Sequence, residues 1–481
     1  MRYLPPDLNL GLLWPEIWLA LLILTVFMAE VFLKKEHRIS IGQITSWGVA
    51  FLVIPWWLSA DKIGTACSGL LAVDRAAWYF KGIFLGTAFM VSLMNREFLR
   101  KIEKGYGEFS LLLLTALLGM FFMAGAKDLL MFFVSLEVLT FSLYVMTAYL
   151  RTDKESVEAG LKYLILGALA SSLFLYGTSL VYGTVGSTSF AKIHAFVATG
   201  GEVSKLFLLG ILLILSALGF KVAAVPFHVW VPDVYQGAPT PVTALLSVGS
   251  KAAAFAVFLR LFHSALLPIQ SEWALAVAVI AALTVTYGNL SAIPQGNIKR
   301  LFGYSSIAQA GYLMMGVAAA SAPGATGVAY YLLAYMFMNL GAFLVLVVFA
   351  NFSKSYDLED YQGLAQRSPI LAATLFVCLI SLAGVPPSAG FFGKFLIFIA
   401  LIKSGMIWLA FIGSVNVVIS LYYYLSIVRR MYWGTAKDAS PIRLEMPLQI
   451  ALYACIAGVV AMGVFQAPFV SAAQSAVSGW F

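Results

Sequence analysis

The sequence predicts an all-α polytopic membrane protein of about 14 transmembrane helices, with two inverted five-helix repeats that each contain a proline-broken helix. Three observations predict it. First, 61% of the 481 residues are hydrophobic and 11% charged, with mean hydropathy +0.91, where a soluble domain is roughly 25% charged. Second, apolar runs of about 20 residues recur along the whole chain, each long enough to cross roughly 30 Å of hydrocarbon. Lipid offers no hydrogen-bond partners, so such runs must be helices. Third, prolines interrupt two of the runs at matching places, at Pro226 and at Pro386 and Pro387.

The candidate spans centre near residues 24, 50, 87, 117, 139, 172, 214, 251, 282, 309, 338, 385, 417 and 457. The first, Trp14 to Leu33, reads as a transmembrane helix and not a leader, because one basic residue precedes it and "KKEHR" follows where a small-residue cleavage site would stand. The odd-numbered loops hold 17 of the 30 cations, and the even loops with the termini hold six. Since cations concentrate on the cytoplasmic side, both termini are expected outside. The net charge of +8 is then a topology signal, not a nucleic-acid patch.

"LSALG" (Leu215–Gly219) precedes the first broken span and "ISLAG" (Ile380–Gly384) the second, 165 residues or five spans later. An odd number of spans reverses the direction of travel, so the two units would be inverted repeats, as in transporters with a midplane ion site. The expected organisation is 1–107 (spans 1–3), 108–264 (first repeat), 273–433 (second repeat) and 434–481 (span 14).

Cofactor chemistry has no visible seat in this chain. Cys67, Cys378 and Cys455 are far apart and form no C-x-x-C pair, and His37, His194, His228 and His263 are scattered. "SAGFFGKF" lacks the glycine and the Ser or Thr of a phosphate-binding loop, having Ser388 and Phe395 there.

Seven cations remain within or near the spans: Lys81, Lys162, Lys205, Lys221, Lys251, Arg260 and Lys394. Lys81 and Lys205 lie near span ends, where a lysine snorkels to the interface; Arg260 fits either reading. Glu137, Lys162, Lys221, Lys251 and Lys394 have apolar residues on both sides. A charge at that depth costs roughly 2.5–3.5 kcal/mol on insertion scales and faces a partner or a wet cavity. One salt bridge accounts for two such residues, not for four lysines against one glutamate. Groups that bind and release protons in mid-membrane are what a proton relay requires. Pro226 leaves the Val222 carbonyl without its donor, so a small polar pocket is expected one turn from Lys221. His228, a group that titrates near neutrality, follows the break. "PDVYQGAPTP" after it reads as a helix exit and short loop.

The pattern K-x4-PFH-x-W-x-PDVY-x-GAPTPVTA-L-S-x3-K, Lys221 to Lys251, resembles the core motif of the antiporter-like subunits of respiratory complex I. Glu137 in the fifth span, Lys162 in the sixth and "GVPPSAGFFGKF" in the twelfth extend the resemblance over the whole chain. Lys394, where another large subunit typically has glutamate, and the end of the chain soon after span 14 resemble the smallest of the three large subunits. The resemblance implies that Glu137 and Lys221 form a switchable ion pair, which Lys162 modulates. It makes Lys251 the central relay, Lys394 the lead to a second half-channel and His228 part of a connecting hydrophilic axis. It further implies a translocase role without redox chemistry, in a bacterial cytoplasmic (inner) membrane. NADH, FMN, iron–sulfur clusters and quinone would sit in partner subunits, with antiporter-like subunit M and small subunits such as K and J as neighbours. A multi-subunit sodium/proton antiporter, a ferredoxin- or hydrogenase-linked complex, and a membrane scaffold are the alternatives.

Overall fold

The computed structural model describes residues 8–34, 39–99, 105–199, 203–353, 355–436, 440–442 and 444–481. His37 and, among the loop and terminal cations counted above, Arg2, Lys35, Arg38, Arg100, Lys101, Lys104, Lys354, Lys437 and Arg443 lie outside the described residues.

The chain is a helical bundle. The N-terminal part comprises α1 (Trp14–Phe32), α2 (Ile39–Phe51), the one-turn α3 (Val53–Trp57) and α4 (Arg75–Leu99). Strands β1 (Gly64–Ala66) and β2 (Leu71–Val73) form a small antiparallel hairpin between α3 and α4, with Gly64 opposite Val73. Then come α5 (Tyr106–Gly125), α6 (Leu129–Thr147), α7 (Lys154–Val185), the short α8 (Phe190–Ala198), α9 (Lys205–Val222) and α10 (Trp230–Gly237). Helices α11 (Thr240–Leu245) and α12 (Lys251–Arg260) are joined by a π-helical turn, Leu246–Ser250, and a second such turn, Leu261–Ala265, ends the rod. The second half comprises α13 (Gln270–Ala292), α14 (Ile298–Ala318), α15 (Ala322–Ser353), the one-turn α16 (Leu364–Arg367), α17 (Pro369–Ala383), α18 (Ala389–Lys403) and α19 (Ile407–Trp433). Helices α20 (Met446–Val464) and α21 (Gln466–Val477) finish the chain.

Eleven helices among the described residues are long and apolar enough to span a membrane. The three remaining expected spans differ for visible reasons. The span near 50 is split into α2 and α3, that near 385 is broken into α17 and α18, and α14 carries the buried polar residues Ser305, Ser306 and Gln309. The core lies along Thr240–Ala265, whose most apolar stretch is wholly buried, and α15, whose most apolar stretch is 89% buried.

Polar residues set the starts of several helices. Asp128 accepts from Leu130 N at 2.8 Å at the head of α6, and Asn297 from Arg300 N at 3.1 Å at the head of α14, supplying the acceptors that a helix start lacks. These two caps, 169 residues apart, belong to one repeated device. Leu129 N donates to Thr188 O at 3.0 Å and Ile298 N to Tyr356 O at 2.8 Å; Phe190 N donates to Lys127 O and Leu358 N to Gly296 O, both at 2.9 Å. The packing recurs with the same offset. A Cβ on Gly119 would lie 2.7 Å from Leu139 N and 2.9 Å from Ser135 O; one on Gly288 would meet Ala308 N and, at 2.9 Å, Tyr304 O. Each glycine lets two helices touch backbone to backbone.

The helix breaks also match, but not in the register of the "LSALG" and "ISLAG" echo. Helix α9 stops at Ala223 (φ 69°) and α17 at Gly384 (φ 90°), both left-handed. Ala224 N returns to Gly219 O at 2.7 Å and Val385 N to Ile380 O at 3.2 Å. The breaks are therefore 161 residues apart, not 165. A slip of one helical turn preserves an apolar face, so a five-residue apolar string does not discriminate the two registers. The first break also precedes Pro226 by three residues, and "PDVYQGAPTP" is mostly helix: α10 and α11 meet across Ala238 and Pro239.

Candidate functional site

Lys394 is held by what the second break leaves free. Its Nζ donates to Leu382 O at 2.7 Å and Ala383 O at 3.2 Å, the last carbonyls of α17, and lies 4.4 Å from the centre of the Tyr312 ring. Terminal carbonyls lack intrahelical donors and carry the negative end of the helix dipole, so this is a cation cradle made of backbone. Gly384 is part of it: a Cβ there would sit 3.1 Å from Lys394 Cδ.

From the cradle a buried polar path leads to Lys251. Gln309 Nε2 donates to Leu382 O at 3.0 Å and to Tyr424 Oη at 3.2 Å, while Tyr331 Oη donates to its Oε1. Tyr424 Oη pairs with Ser305 Oγ at 2.5 Å. The next residue, Ser306, accepts from Lys251 Nζ through both its carbonyl and its Oγ, each at 2.5 Å. The main chain bridges Ser305 to Ser306. Lys251 follows directly on a π-helical turn, a feature frequent at functional sites. Asn339 reaches that turn, donating to Ser247 Oγ at 2.7 Å.

Lys221 is placed differently. It is 5% exposed, and its Nζ has no hydrogen-bond partner among the described residues. Its surroundings are aromatic and not the polar pocket expected: the Phe220 and Tyr144 ring centres are 5.5 and 5.9 Å away. Trp230 Nε1 takes the Phe220 carbonyl at 3.0 Å, so the end of the break is satisfied by an indole. Glu137 makes no ion pair with Lys221; its Oε1 accepts from Ser171 Oγ at 2.5 Å. Glu137 also lines an open apolar depression of about 500 Å³ with Leu112, Val134 and Phe141 on the outer face of α5 and α6.

Three of the seven cations within or near the spans are ion-paired. Lys162 is 42% exposed and bridges Glu158 and Asp233, both at 2.7 Å, and Asp233 also takes Arg300 at 2.7 Å. It is thus no unpaired deep cation, because α10 folds Asp233 back onto α7. Lys81 does not snorkel: it is buried against Glu16 of α1 at 2.5 Å. Arg260 is resolved as a bidentate partner of Asp74, at 2.7 and 2.9 Å. Burial works against ionisation of Asp74, but the Arg260 guanidinium holds its carboxyl below the usual carboxylate range. Lys205 is exposed at the start of α9, as expected for a span end. His228 is buried in the link between α9 and α10, edge-on to Tyr287 at 4.4 Å, apart from the path just traced.

One buried lysine was missed. Lys299 is 3% exposed, donates to Ala238 O at 2.6 Å and lies 4.6 Å from the Tyr356 ring centre. Its signal was Asn297, a helix-start residue that puts Lys299 on the first turn of α14 and not in a loop.

The family described as NADH:quinone oxidoreductase/Mrp antiporter, transmembrane, matches residues 126–420, more than half of the chain and including every buried lysine of the path. The chain belongs to this family. Among its members, the "NADH-quinone oxidoreductase subunit N" of Moorella thermoacetica is 41% identical over 474 residues, 98% of this chain and 99% of that one. A chain of respiratory complex I from Thermus thermophilus superposes with a TM-score of 0.81 at 33% identity, covering 95% of this chain and 98% of its own. A chain of the Mrp complex from Dietzia sp. gives 0.85 at 21% identity, covering 97% and 96%. At that identity the second likeness speaks to the fold alone. The antiporter-like fold of the family is thus an integral membrane bundle, and the polar path runs from Lys251 in its first half into its second.

Proposed function

We propose that this chain is the proton-translocating membrane-arm subunit of an NADH:quinone oxidoreductase, subunit N, moving protons through a buried Glu/Lys relay and carrying no redox centre. The full-length likeness to subunit N relatives, 41% identical over 98% of the chain, carries the reading. The hydrogen-bonded path from Lys251 to Lys394 supports the relay. Protons would pass Glu137 and Lys221, then Lys251, then Lys394, with His228 beside the axis and Lys162 biasing the first pair through Asp233. Glu137 and Lys221 would meet only in another state of the cycle, since the carboxylate is now held by Ser171.

The chain would cross the inner membrane 14 times with both termini on the outer side. Its repeats would be 108–264 and 273–433, preceded by 1–107 and followed by 434–481. A neighbouring membrane subunit, such as K, J or M, would cover the depression beside Glu137, because a carboxylate facing lipid is costly. NADH, FMN, iron–sulfur clusters and quinone would be bound by partners. A Mrp-type sodium/proton antiporter is the second reading, in keeping with the family's description, which names both kinds of protein.

The first test is to tag the chain, extract it in mild detergent and assay the purified assembly for NADH:quinone electron transfer. Activity with a large multi-subunit set supports the proposal; small membrane partners with sodium-driven proton flux and no NADH oxidation support the antiporter. In the assembled complex, Lys251→Ala and Lys394→Ala should each cut NADH-driven proton pumping at least about tenfold, since groups that handle the transferred proton contribute roughly 10²–10⁴-fold. Normal pumping in either would sink the relay.

A further inference from the structure

Ser306 occupies the place in the second half that Glu137 occupies in the first. The 169-residue offset that relates Asp128 to Asn297, Gly119 to Gly288 and Leu139 to Ala308 takes Glu137 to Ser306. The glycine contacts bracket the position on both sides: Ser135 and Leu139 flank Glu137 as Tyr304 and Ala308 flank Ser306. A carboxylate on one helix is thus replaced by a hydroxyl on its counterpart.

That hydroxyl is not idle. Ser306 is 1% exposed, and its Oγ lies 2.5 Å from Lys251 Nζ, 3.0 Å from Tyr235 Oη and 3.3 Å from Tyr335 Oη. Among the described residues no carboxylate lies within ion-pair distance of Lys251, whose hydrogen bonds both go to Ser306.

We propose that Ser306 is a positioning residue of the relay: a neutral substitute for the carboxylate, holding Lys251 in both of its protonation states by reversing its own hydrogen bonds. A hydroxyl has one donor and two acceptor sites. With Lys251 as ammonium, Oγ accepts from Nζ and from Tyr335 and donates to Tyr235. With Lys251 as amine, Oγ donates to the Nζ lone pair and accepts from Tyr235 and Tyr335. Ser306 Oγ keeps three hydrogen bonds in both arrangements, and no heavy atom has to move. An ionised carboxylate, which only accepts, would hold the ammonium alone and stop the cycle. The inference rests on the reading of Lys251 as a relay group.

The test uses the purified, reconstituted complex with Ser306→Ala, Ser306→Thr and Ser306→Asp, measuring proton uptake with a pH-sensitive dye alongside electron transfer. Ser306→Ala should lose about tenfold in pumping, the scale of one hydrogen bond to a charged group. Ser306→Thr, which keeps the hydroxyl, should recover to within about twofold of the parent. Ser306→Asp should assemble yet pump no better than Lys251→Ala. Parental pumping by Ser306→Asp, or equal losses in Ala and Thr, overturns the proposal. Should Ser306→Ala not assemble, the contrast between Thr and Asp decides alone. Normal pumping in Ser306→Ala beside a failed Lys251→Ala removes the role of Ser306 and leaves the relay standing; normal pumping in Lys251→Ala removes the relay itself.

Discussion

Lys221 and Lys394 both stand beside a helix break, yet the two ammonium groups are kept by opposite means. Lys394 takes two freed carbonyls, whereas Lys221 Nζ has no hydrogen-bond partner among the described residues and lies 5.5 and 5.9 Å from two ring centres. Gly384 separates the cases chemically, because its φ of 90° is open to glycine and costs an L residue roughly 1–2 kcal/mol. Gly384→Ala should therefore lower the thermal stability of the complex by about that amount and reduce pumping further, as its Cβ presses on Lys394 Cδ. A calorimetric scan with a pumping assay checks both; an unchanged pumping rate would mean that the cradle does not need its shape. Sequence alone placed Lys221, Lys251 and Lys394 in the interior through their apolar flanks, and all three are buried. It misread Lys81, Lys162 and Lys299, whose partners Glu16, Asp233 and the Ala238 carbonyl are distant in sequence or belong to the backbone. Burial beside a partner looks the same, residue by residue, as burial without one.

Helices α6 and α14 begin on equivalent caps, so the two halves invite the same experiment twice. Asp128→Ala and Asn297→Ala should each cost about 1 kcal/mol, the usual worth of a cap, and differential scanning should find the two losses alike. Widely unequal losses would mean that the shared bonds do not carry shared stability. The first four helices make a different point. Lys81 and Glu16 join α4 to α1 at 2.5 Å with little solvent. Removing one partner of a buried pair costs about 3–5 kcal/mol, while removing both can be nearly neutral. Lys81→Met should thus sharply reduce the yield of folded complex, and the double variant Glu16→Gln with Lys81→Met should restore much of it. Equal yields from the single and the double variant would show that the pair is not coupled. Apolar run length made the long helices readable, but it could not see the breaks at Ala223 and Gly384, which are set by backbone conformation.

At the scale of the whole molecule, composition was enough for an all-α membrane bundle, and the long runs were enough for most of its helices. The number of crossings was harder, because α2, α14, α17 and α18 each depart from a plain apolar span of full length. The expected orientation is open to direct test. Ser404 lies in the exposed turn after α18, and Thr435 is exposed after α19. With the native cysteines replaced, Ser404→Cys should react with a membrane-impermeant maleimide added to intact cells. Thr435→Cys should react only after the membrane is opened. The reverse pattern would invert the topology and move every half-channel to the other side.

The contrast between the two breaks also gives the molecule a slack joint and a taut one. Lys221 can swing without breaking a hydrogen bond, because its Nζ makes none among the described residues. Lys394 cannot stir without pulling on Leu382, and through that carbonyl on Gln309, Tyr424 and Tyr331. A push on the first half is taken up locally, like play in a hinge; a push on the second is passed along at once, like tension in a cord. The hydrogen bonds therefore leave Lys221 untied and tie Lys394 to its neighbours.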